Sequence, residues 1–293
     1  MRGARERIVI APAGRRRAVL GVIGGARRRL VLSIFRCDDT RVLQALARAS
    51  DRGVRVSAVV TRRARASARD LDRVCAWLVA HGIDVRRPDA RAKYHAKYMV
   101  ADDRVALVTS LNYTAKCFTR TCDFLLVTRD PAVVSGLTTL FAADWAGEPA
   151  VLTAAQRERL IVGPDHAPRA RFGALIQEAR HRVRLLDTKL TDQVTSRVLD
   201  GCRQAGIAVE IARRRSVRPL RAHGKLLLID DRAAVIGSLA LSPAALDRRR
   251  ELAVIVRDPR LVATLDAFWH AHLEPAAAVT RHAAPAPFAE LAS

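Results

Sequence analysis

The stretch "HAKYMVADDRVALVTS" at residues 95–110 returns as "HGKLLLIDDRAAVIGS" at residues 223–238. In each copy, two apolar runs flank an Asp-Asp-Arg sequence, which predicts a β-hairpin closed by a polar turn. Residues two apart on a strand point to the same side, so the His and the Lys that begin each copy share a face. The chain therefore presents the same pair of basic side chains twice.

The repeat extends well beyond the two hairpins. "RERIVIAP" at 5–12 matches "RERLIVGP" at 157–164, and "VTRDP" at 127–131 matches "IVRDP" at 255–259. Before each hairpin, a segment with helical spacing of apolar residues leads through Gly into a β-branched run. Helices that alternate with short apolar strands are typical of α/β layers. We therefore predict an α/β protein made of two homologous α/β/α sandwich domains related by a pseudo-twofold axis.

The two halves differ in one segment of the chain. "SARDLDRVCAWLVAHGIDVRR" at 67–87 has no counterpart in the second half, and its pattern predicts one more helix and strand. We expect the first domain to span 1–150 and the second 151–275. Residues 276–293 are rich in Ala and Pro with little apolar periodicity, which predicts a loose tail.

The net charge is the strongest feature of the composition. Lys and Arg number 51 against 29 acidic residues, a formal charge of +22. A surface this positive attracts polyanions such as nucleic acid, anionic lipid headgroups or phosphorylated substrates. Half of the 293 residues are hydrophobic and 27% are charged, which excludes a disordered chain and allows two domains with sizeable cores.

The cysteines and the apolar segments bear on the compartment. Five scattered Cys without a C-x-x-C pair suggest neither a disulfide framework nor a zinc site. "AVLGVIGGA" at 18–26 is too short to span a bilayer and has Arg on both sides, so we expect part of a buried helix. We expect a cytoplasmic protein that contacts anionic membrane at its periphery and has no obligate protein partner.

The paired motifs predict a site for a phosphodiester. If the halves pack with their hairpins facing, the basic residues that converge are His95, Lys97, His223 and Lys225. Two ammonium groups can bind the non-bridging oxygens, while one imidazole attacks phosphorus and the other protonates the leaving alcohol. Only 5 of the 51 basic residues are Lys. A compact ammonium fits a crowded site better than the wide, permanently charged fork of Arg, which explains Lys at these two places.

A carboxylate lies at the same distance, 28 residues, after each His. These carboxylates are Asp123 and Glu251. An imidazole that attacks through one nitrogen needs an acceptor for the proton on the other, so we predict that they orient the His side chains. A surface carboxylate at a strand start is the alternative. Asp102 and Asp230 close the hairpin turns, where Asp side chains bond the local backbone, and we predict a mainly structural role for them.

The residues quoted above carry a resemblance. "HAKYMVAD" and "HGKLLLID", each followed by a Ser eight residues past the Asp, resemble the paired H-x-K-x4-D motifs of the phospholipase D superfamily. The resemblance covers about residues 5–275 and implies two α/β domains with the site at their interface. It also implies catalysis through a phosphohistidine, with neither a metal nor another cofactor. His95 then corresponds to the nucleophile and His223 to the general acid, an order that the near-symmetry leaves open.

The same resemblance assigns further roles and shows two departures. Lys97 and Lys225 become phosphate ligands, and the family motif continues as Gly-Ser-x-Asn. At these positions stand Thr109, Ser110 and Asn112 in the first half and Gly237, Ser238 and Ala240 in the second. Ser110, Asn112 and Ser238 are therefore predicted to bind substrate, with a carboxamide on one side only. We expect the departures to lower the rate without abolishing it, because His and Lys carry the covalent chemistry.

Three functions remain open from the sequence. Two motifs in one chain resemble bacterial phospholipase D and cardiolipin synthase-like proteins, which favours hydrolysis or transphosphatidylation of phospholipids. The charge favours a metal-independent nuclease instead, although aromatic residues at 4% leave few platforms for base stacking. Tyr94 and Tyr98 are expected in the core, and Tyr113 at the mouth of the site. Thr109 and Ala240 motivate a degenerate homologue that binds polyanions without turnover, against which the intact His and Lys residues speak.

Overall fold

The computed structural model describes residues 5–62, 68–88, 93–164, 166–212, 217 and 219–273, so the predicted tail at 276–293 lies outside it. The strands are β1 (Glu6–Val9), β2 (Arg29–Ile34), β3 (Arg55–Val60), β4 (Asp84–Arg86), β5 (Lys93–Tyr94), β6 (Tyr98–Ala101), β7 (Val105–Thr109), β8 (Thr121–Cys122), β9 (Leu125–Thr128), β10 (Leu160–Gly163), β11 (Arg182–Leu186), β12 (Ala208–Ala212), β13 (Arg221–Ala222), β14 (Lys225–Ile229), β15 (Ala233–Gly237) and β16 (Arg249–Val256). The helices are α1 (Pro12–Gly25), α2 (Thr40–Asp51), α3 (Ala68–Ala80), α4 (Ala115–Thr119), α5 (Pro131–Ala146), α6 (Ala154–Arg159), α7 (Pro168–Gln177), α8 (Gln193–Gln204), α9 (Pro243–Arg248) and α10 (Pro259–His272).

Each half forms a mixed β-sheet with the same strand order. The first sheet runs β1-β9-β7-β6-β2-β3-β4, and the second runs β10-β16-β15-β14-β11-β12. The parallel pairs are β2–β3 and β3–β4 in the first sheet and β11–β12 in the second. The other neighbouring strands along these two orders are antiparallel. The two predicted hairpins are present as β6–β7 and β14–β15.

The segment present only in the first half supplies the extra edge of its sheet. It contains helix α3 and strand β4, and β4 pairs in parallel with β3. The helix and strand predicted between residues 67 and 87 are therefore confirmed. The second sheet ends one strand earlier, at β12.

Alternate side chains of the central strands face different helical layers. In β2, Leu30 and Leu32 are buried with residues of α1 and α2, whereas Val31 is buried with residues of α5. In the second sheet, β11 faces α7 and α8 on one side, and α10 packs against β14 and β15. Strands buried on both faces explain why these segments are nearly continuous apolar runs. The predicted α/β sandwich in each half is confirmed.

One hydrophobic core belongs to both halves. It joins Val31 and Leu137 of the first half to Leu226, Val254 and Trp269 of the second, all at most 1% exposed. Each half also has an outer core of its own, under α1 and α2 in the first and under α7 and α8 in the second. Helices α5 and α10 contribute to the shared core, so the two sheets are joined through a common helical layer.

The helix starts follow from local sequence. Asp130 and Asp258 of the two "RDP" segments cap α5 and α10, and Pro occupies the first turn of each helix. The "AVLGVIGGA" segment lies in α1, which buries one side, as predicted. Among the residues described here, no helix combines the length and the apolar character needed to cross a membrane. All five cysteines are buried and have free thiols.

Candidate active site

Each histidine motif is attached to the opposite half of the molecule by a two-residue strand. Strand β5 pairs in parallel with the start of β16, with Tyr94 opposite Arg250. Strand β13 pairs in the same way with β8, with Ala222 opposite Cys122. The link continues past the strand on the first side, where the backbone N–H of His95 donates to Arg250 O at 2.8 Å. The two halves thus exchange strands at the site.

This exchange places each histidine beside the carboxylate of the other half. His95 Nδ1 lies 2.9 Å from Glu251 Oε2, and His223 Nδ1 lies 2.7 Å from Asp123 Oδ1. In each case the His and the carboxylate are the residues that follow a pair of opposed strand residues. Parallel pairing therefore brings the two side chains together. The equal sequence spacing of His and acid within each half does not indicate this crossing.

Asp123 is fully buried and held by hydroxyl groups. Ser110 Oγ donates to Asp123 Oδ1 at 2.7 Å, and Thr121 Oγ1 donates to Asp123 Oδ2. Burial by itself raises the pKa of Asp123, but the charge of His223 and these hydrogen bonds outweigh it and lower the pKa. The carboxylate is therefore ionised and accepts the Nδ1 proton of His223.

Glu251 is also buried and ionised. Its side chain is 1% exposed, and burial raises its pKa, yet His95 and the ammonium of Lys97 outweigh burial and lower the pKa to about 2. Ser238 Oγ donates to the carbonyl of Leu252 at 3.3 Å and accepts from its N–H at 3.2 Å. Ser238 is 2% exposed, so this serine fixes the backbone next to the carboxylate.

The three residues predicted to bind substrate, Ser110, Asn112 and Ser238, differ in their surroundings. Ser110 is also 2% exposed, and its hydroxyl accepts from the N–H of Phe124 at 3.0 Å while it donates to Asp123. Asn112, by contrast, lines an open groove, and its Oδ1 atom has no hydrogen-bond partner among the residues that the structure describes. Ala240, at the matching position of the second half, is buried. The carboxamide is present on one side of the site.

The two lysines lie beside their own histidines. Lys97 is 1% exposed, and its Nζ lies 2.5 Å from the His95 carbonyl oxygen and 2.9 Å from His95 Nδ1. Lys225 is half-buried, and its Nζ lies 2.6 Å from the His223 carbonyl oxygen. Burial lowers the pKa of Lys97 to about 7, and the charge of Lys225 contributes to this shift. The two lysines therefore lie close enough for the charge of Lys225 to affect the pKa of Lys97.

His95 is neutral in this environment. Burial lowers the pKa of His95 to about 3, against the opposing effect of Glu251. Its ring packs against Phe35 with centroids 4.3 Å apart. Nδ1 faces both a carboxylate and an ammonium, and its N–H donates a hydrogen bond to the ionised Glu251. The lone pair then lies on Nε2, the nitrogen available to a substrate.

A groove of about 820 Å³ opens beside His223. The groove is lined by charged residues and by apolar ones. The basic residues are Arg36, Lys116 and Arg221, the acidic residues are Asp38 and Asp70, and the apolar residues include Leu71, Val74, Val217 and Leu220. Leu71 and Val74 belong to α3, so the helix found only in the first half forms part of the wall. The groove thus combines an apolar side with three basic and two acidic residues.

The two turn aspartates lie at the far end of the hairpins. Asp102 has a φ of 54°, and its carboxylate accepts N–H groups from residues 27–29 at 2.7 to 2.9 Å. Asp230 accepts N–H groups from residues 180–182 in the same way. Their partners are thus the residues that enter the first central strand of each sheet, whereas the sequence suggested the local turn backbone.

The structure shows how the first position of the Gly-Ser-x-Asn motif differs between the two halves. At Gly237, an added Cβ would lie 2.3 Å from the carbonyl oxygen of Leu252, so the second half requires glycine. In the first half Thr109 is buried, and its hydroxyl accepts the N–H of Leu111 at 3.0 Å. The first half therefore accommodates a side chain that the second excludes.

The tyrosines divide differently from the prediction. Tyr94 and Tyr98 are buried in the shared core, as expected. Tyr113 does not line the mouth, because it is fully buried in the outer core of the first half. Its neighbour Cys37 is in the same core and pairs with it through an isolated β-bridge.

The sequence also gave no indication of two charged residues after β11. Asp187 is 2% exposed and accepts N–H groups of Lys189 at 2.7 Å and Leu241 at 2.6 Å; burial raises its pKa against the effect of Lys225. Desolvation and the charges of Lys225 and Arg249 lower the pKa of Lys189. No motif marks either residue. Cys117 was likewise missed, although its thiol lies close to Asp123 and His223.

Duplicated α/β halves that bring together two histidine–carboxylate couples and two lysines define a phospholipase D-like protein. The chain belongs to the family described as the cardiolipin synthase, PLD-like domain, whose profile matches residues 19–145 and again residues 150–272. Comparison with curated protein sequences finds no match.

Two solved structures illustrate the fold. The polyphosphate kinase of Porphyromonas gingivalis has a TM-score of 0.73 and 19% identity, over 90% of this chain and 50% of the kinase. The phosphatidylserine synthase of Haemophilus influenzae Rd KW20 has a TM-score of 0.76 and 11% identity, over 93% of this chain and 87% of the synthase. This chain spans about half the length of the kinase. At these identities the likeness is one of fold.

Proposed function

We propose that the protein is a phosphodiesterase that works in two steps through a phosphohistidine at His95. The observation that carries this proposal is the pair of crossed couples, His95 with Glu251 and His223 with Asp123. Each couple leaves Nε2 of a histidine free, and the low pKa of His95 keeps that ring neutral and nucleophilic.

The first step forms a P–N bond and breaks a P–O bond. His95 Nε2 attacks phosphorus, and the bond to the leaving alcohol breaks as His223 gives that oxygen a proton. Glu251 stabilises the positive charge that develops on the His95 ring. Lys97, Lys225 and Asn112 bind the non-bridging oxygens and stabilise their charge.

The second step reverses the roles at His223. Its neutral ring takes a proton from water or from an acceptor alcohol, whose oxygen attacks phosphorus as the P–N bond breaks. Water gives hydrolysis, and an alcohol gives transfer. Asp123 holds the Nδ1 proton of His223 throughout, so the same Nε2 serves as acid and then as base.

A nitrophenyl phosphodiester separates the two steps. Its leaving group needs no proton, so His223→Asn is expected to complete the first step and stall before the second. We expect a burst of one nitrophenolate per enzyme and a covalent adduct on the peptide that contains His95. His95→Asn is expected to give neither.

The same experiment can contradict the proposal. An adduct on the peptide that contains His223, found in the His95→Asn variant, would make His223 the nucleophile and His95 the general acid. Normal steady-state rates in both variants would remove the histidines from the chemistry altogether. The folding of each variant is checked by its thermal unfolding transition.

The groove favours a phospholipid as the substrate. A lipid carries an anionic phosphodiester next to apolar chains. The groove that His223 lines has three basic against two acidic residues, and an apolar side to which Val74 and Leu220 contribute. The description of the matching family, cardiolipin synthase, points to the same class. Nucleic acid fits the charge but not the apolar wall, and it remains the second candidate.

The lipid proposal is tested by comparing substrates side by side. Phosphatidylcholine, phosphatidylglycerol, single-stranded DNA and double-stranded DNA are incubated with the protein, and the products are identified by mass. Released headgroup or an exchanged headgroup supports a lipid enzyme, whereas shortened strands identify a nuclease. Binding of either without any product identifies a degenerate homologue.

The apolar wall has its own test. Val74→Ser and Leu220→Ser are expected to reduce turnover of a phospholipid more than turnover of the soluble nitrophenyl diester. Val79→Ser is the matched control, because Val79 lies on the same helix α3 and is 60% exposed. An equal loss for both substrates would contradict an acyl-chain contact at this wall.

A further inference from the structure

Three metal-binding side chains meet beside His223, and the proposed reaction uses only two of them. The donor atoms of Cys117, Asp123 and His223 all lie within 4.8 Å of one another. Cys117 and Asp123 are 5% and 0% exposed. Cys117 comes from α4 and Asp123 from the residue after β8, whereas His223 comes from the other half. The cluster therefore forms only when the halves are packed together.

We propose that Cys117, Asp123 and His223 form an inhibitory binding site for a zinc-like transition-metal ion. Thiolate, imidazole and carboxylate are the donors that Zn²⁺ takes in proteins, at about 2.0–2.3 Å. Those bond lengths put donors roughly 3–4 Å apart, so side-chain movements on the order of 1 Å close the site. A thiolate with an imidazole selects Zn²⁺ over Mg²⁺ or Ca²⁺.

An unpartnered amide oxygen points to the fourth ligand. Asn112 is 8% exposed, and its Nδ2 lies 4.0 Å from Cys117 Sγ. Within the described part of the chain, its Oδ1 has no hydrogen-bond partner. Turning the amide over brings that oxygen toward the thiol, where it can complete a tetrahedral set.

The duplication supplies an internal comparison. Residue Ala245 of α9 stands where Cys117 stands in α4, three residues after the helix caps Ser242 and Thr114. The His95 couple therefore has an imidazole and a carboxylate but a methyl group in place of the thiol. Three donors meet on the His223 side, which makes the proposed site specific to one of the two couples.

Metal binding would block the reaction at a defined place. When His223 is an imidazolium, binding through Nδ1 displaces the thiol proton of Cys117 and the ring proton that His223 donates to Asp123, so two protons are released per ion. The metal-bound ring can no longer be an imidazolium, which is the form that protonates the leaving alcohol. The inhibition rests on the proposed function, but the binding itself does not.

The binding is tested without substrate, using Co²⁺ as a spectroscopic probe and Zn²⁺ titrated by calorimetry. Wild-type protein is expected to bind one equivalent and to show a Co²⁺–thiolate charge-transfer band. Cys117→Ala is expected to lose the band and at least about 100-fold in affinity, because losing even an outer partner of a ligand costs about 10–100-fold. Cys202→Ala is the control, since Cys202 is buried in the outer core of the second half.

The outcomes separate the site from the enzyme. A missing band in the wild type, or a band that persists in Cys117→Ala, would overturn the site. Cys117→Ser provides a near-isosteric variant if the alanine variant does not fold. In turnover assays, Zn²⁺ is expected to inhibit wild type and Cys202→Ala but not Cys117→Ala, each relative to its own metal-free rate. Activation by Zn²⁺, or loss of activity with EDTA, would also overturn an inhibitory role.

Discussion

Lys97 carries its ammonium into a nearly closed space, where Nζ lies 2.5 Å from the His95 carbonyl oxygen and 2.9 Å from His95 Nδ1. A guanidinium is wider and planar, so it does not fit between these atoms without moving the imidazole ring of His95. Lys97 also has a pKa of about 7, whereas an arginine stays charged. Both size and charge therefore explain a lysine in an arginine-rich chain.

The pH dependence of the rate follows from these two residues. His95 has a pKa of about 3 and is already neutral at higher pH, whereas Lys97 loses its charge as pH rises through about 7. We expect kcat/KM to fall as pH rises through about 7, because the free enzyme then loses the cation that we propose binds phosphate. Measurement with the nitrophenyl diester tests this, and a flat profile between about pH 5 and 9 would contradict it.

Burying Lys97 also lowers stability. Lys97→Met is expected to abolish turnover while raising the free energy of unfolding below pH 7, because the variant no longer buries a charge that the folded state disfavours. Unfolded lysine binds its proton up to its ordinary pKa of 10.5 and the folded one only to about 7, so the gain is largest below pH 7 and shrinks above it. Denaturant unfolding at acid and alkaline pH measures both.

Lys225→Met is the matched control for this experiment. Lys225 occupies the equivalent place in the second half but is only half-buried. We expect it to abolish turnover with a smaller gain in stability. If Lys97→Met instead lost as much stability as an ordinary core substitution, that result would contradict the claim that burying the charge of Lys97 lowers stability.

At the scale of the elements, the site depends on two strands of two residues each. Gly224 follows His223, and its N–H donates to the carbonyl oxygen of Cys122 at 2.7 Å. A Cβ there would lie 2.8 Å from Phe124 and 3.0 Å from the Cys122 oxygen. Gly224→Ala is therefore expected to displace His223 and reduce kcat by about 100-fold, the cost of misplacing a catalytic group by about 1 Å.

Ala96 is the counterpart of Gly224 in the first half and already carries a methyl group, which is buried. The control Ala96→Gly is expected to cost about 1 kcal/mol of stability and little activity, because only a methyl group is lost. Steady-state rates and thermal unfolding are measured for both Gly224→Ala and Ala96→Gly. Wild-type turnover in Gly224→Ala would show that the strand pairing does not position His223.

The sequence predicts elements that carry their own local signals. The hairpins, the "RDP" helices and the inserted helix and strand follow from periodicity, turn residues and caps, and the structure has them. Strands β5 and β13 have no such signal, because two residues show no periodicity and their pairing is with the other half. For the same reason the sequence could pair each His with an acid but not predict that the couples cross.

The surroundings of the site residues were harder still to predict. Ser110 and Ser238 occupy equivalent positions in the repeated motif, and the sequence predicted that both bind substrate. Their contacts with a carboxylate and with the backbone depend on how the β-strands pack. Cys117 has no sequence signal at all, because its neighbours in space are six residues away in Asp123 and in the other half in His223.

At the scale of the whole molecule, the two halves share a core and cannot be separated without exposing it. Leu137 and Phe141 of α5 pack in that core together with Val254 and Trp269 of the second half. We expect residues 1–150 alone to aggregate or self-associate and to lack activity, because this apolar face would be open to water. Size-exclusion chromatography with light scattering measures this.

Mixing that fragment with residues 151–293 is expected to restore some turnover, since the crossed couples need both halves. A monomeric, cooperatively unfolding 1–150 fragment would show that the shared core is not required. A fragment with full activity would remove the need for the crossing.

Because each histidine depends on an acid from the other repeat, a single-repeat ancestor with this pairing would have completed its site only as a homodimer, with two identical couples. After gene duplication and fusion, the two copies no longer have to be identical in sequence. One copy can then keep its asparagine and gain a cysteine while the other keeps its glycine, and the former symmetry axis becomes a boundary between two specialised sides.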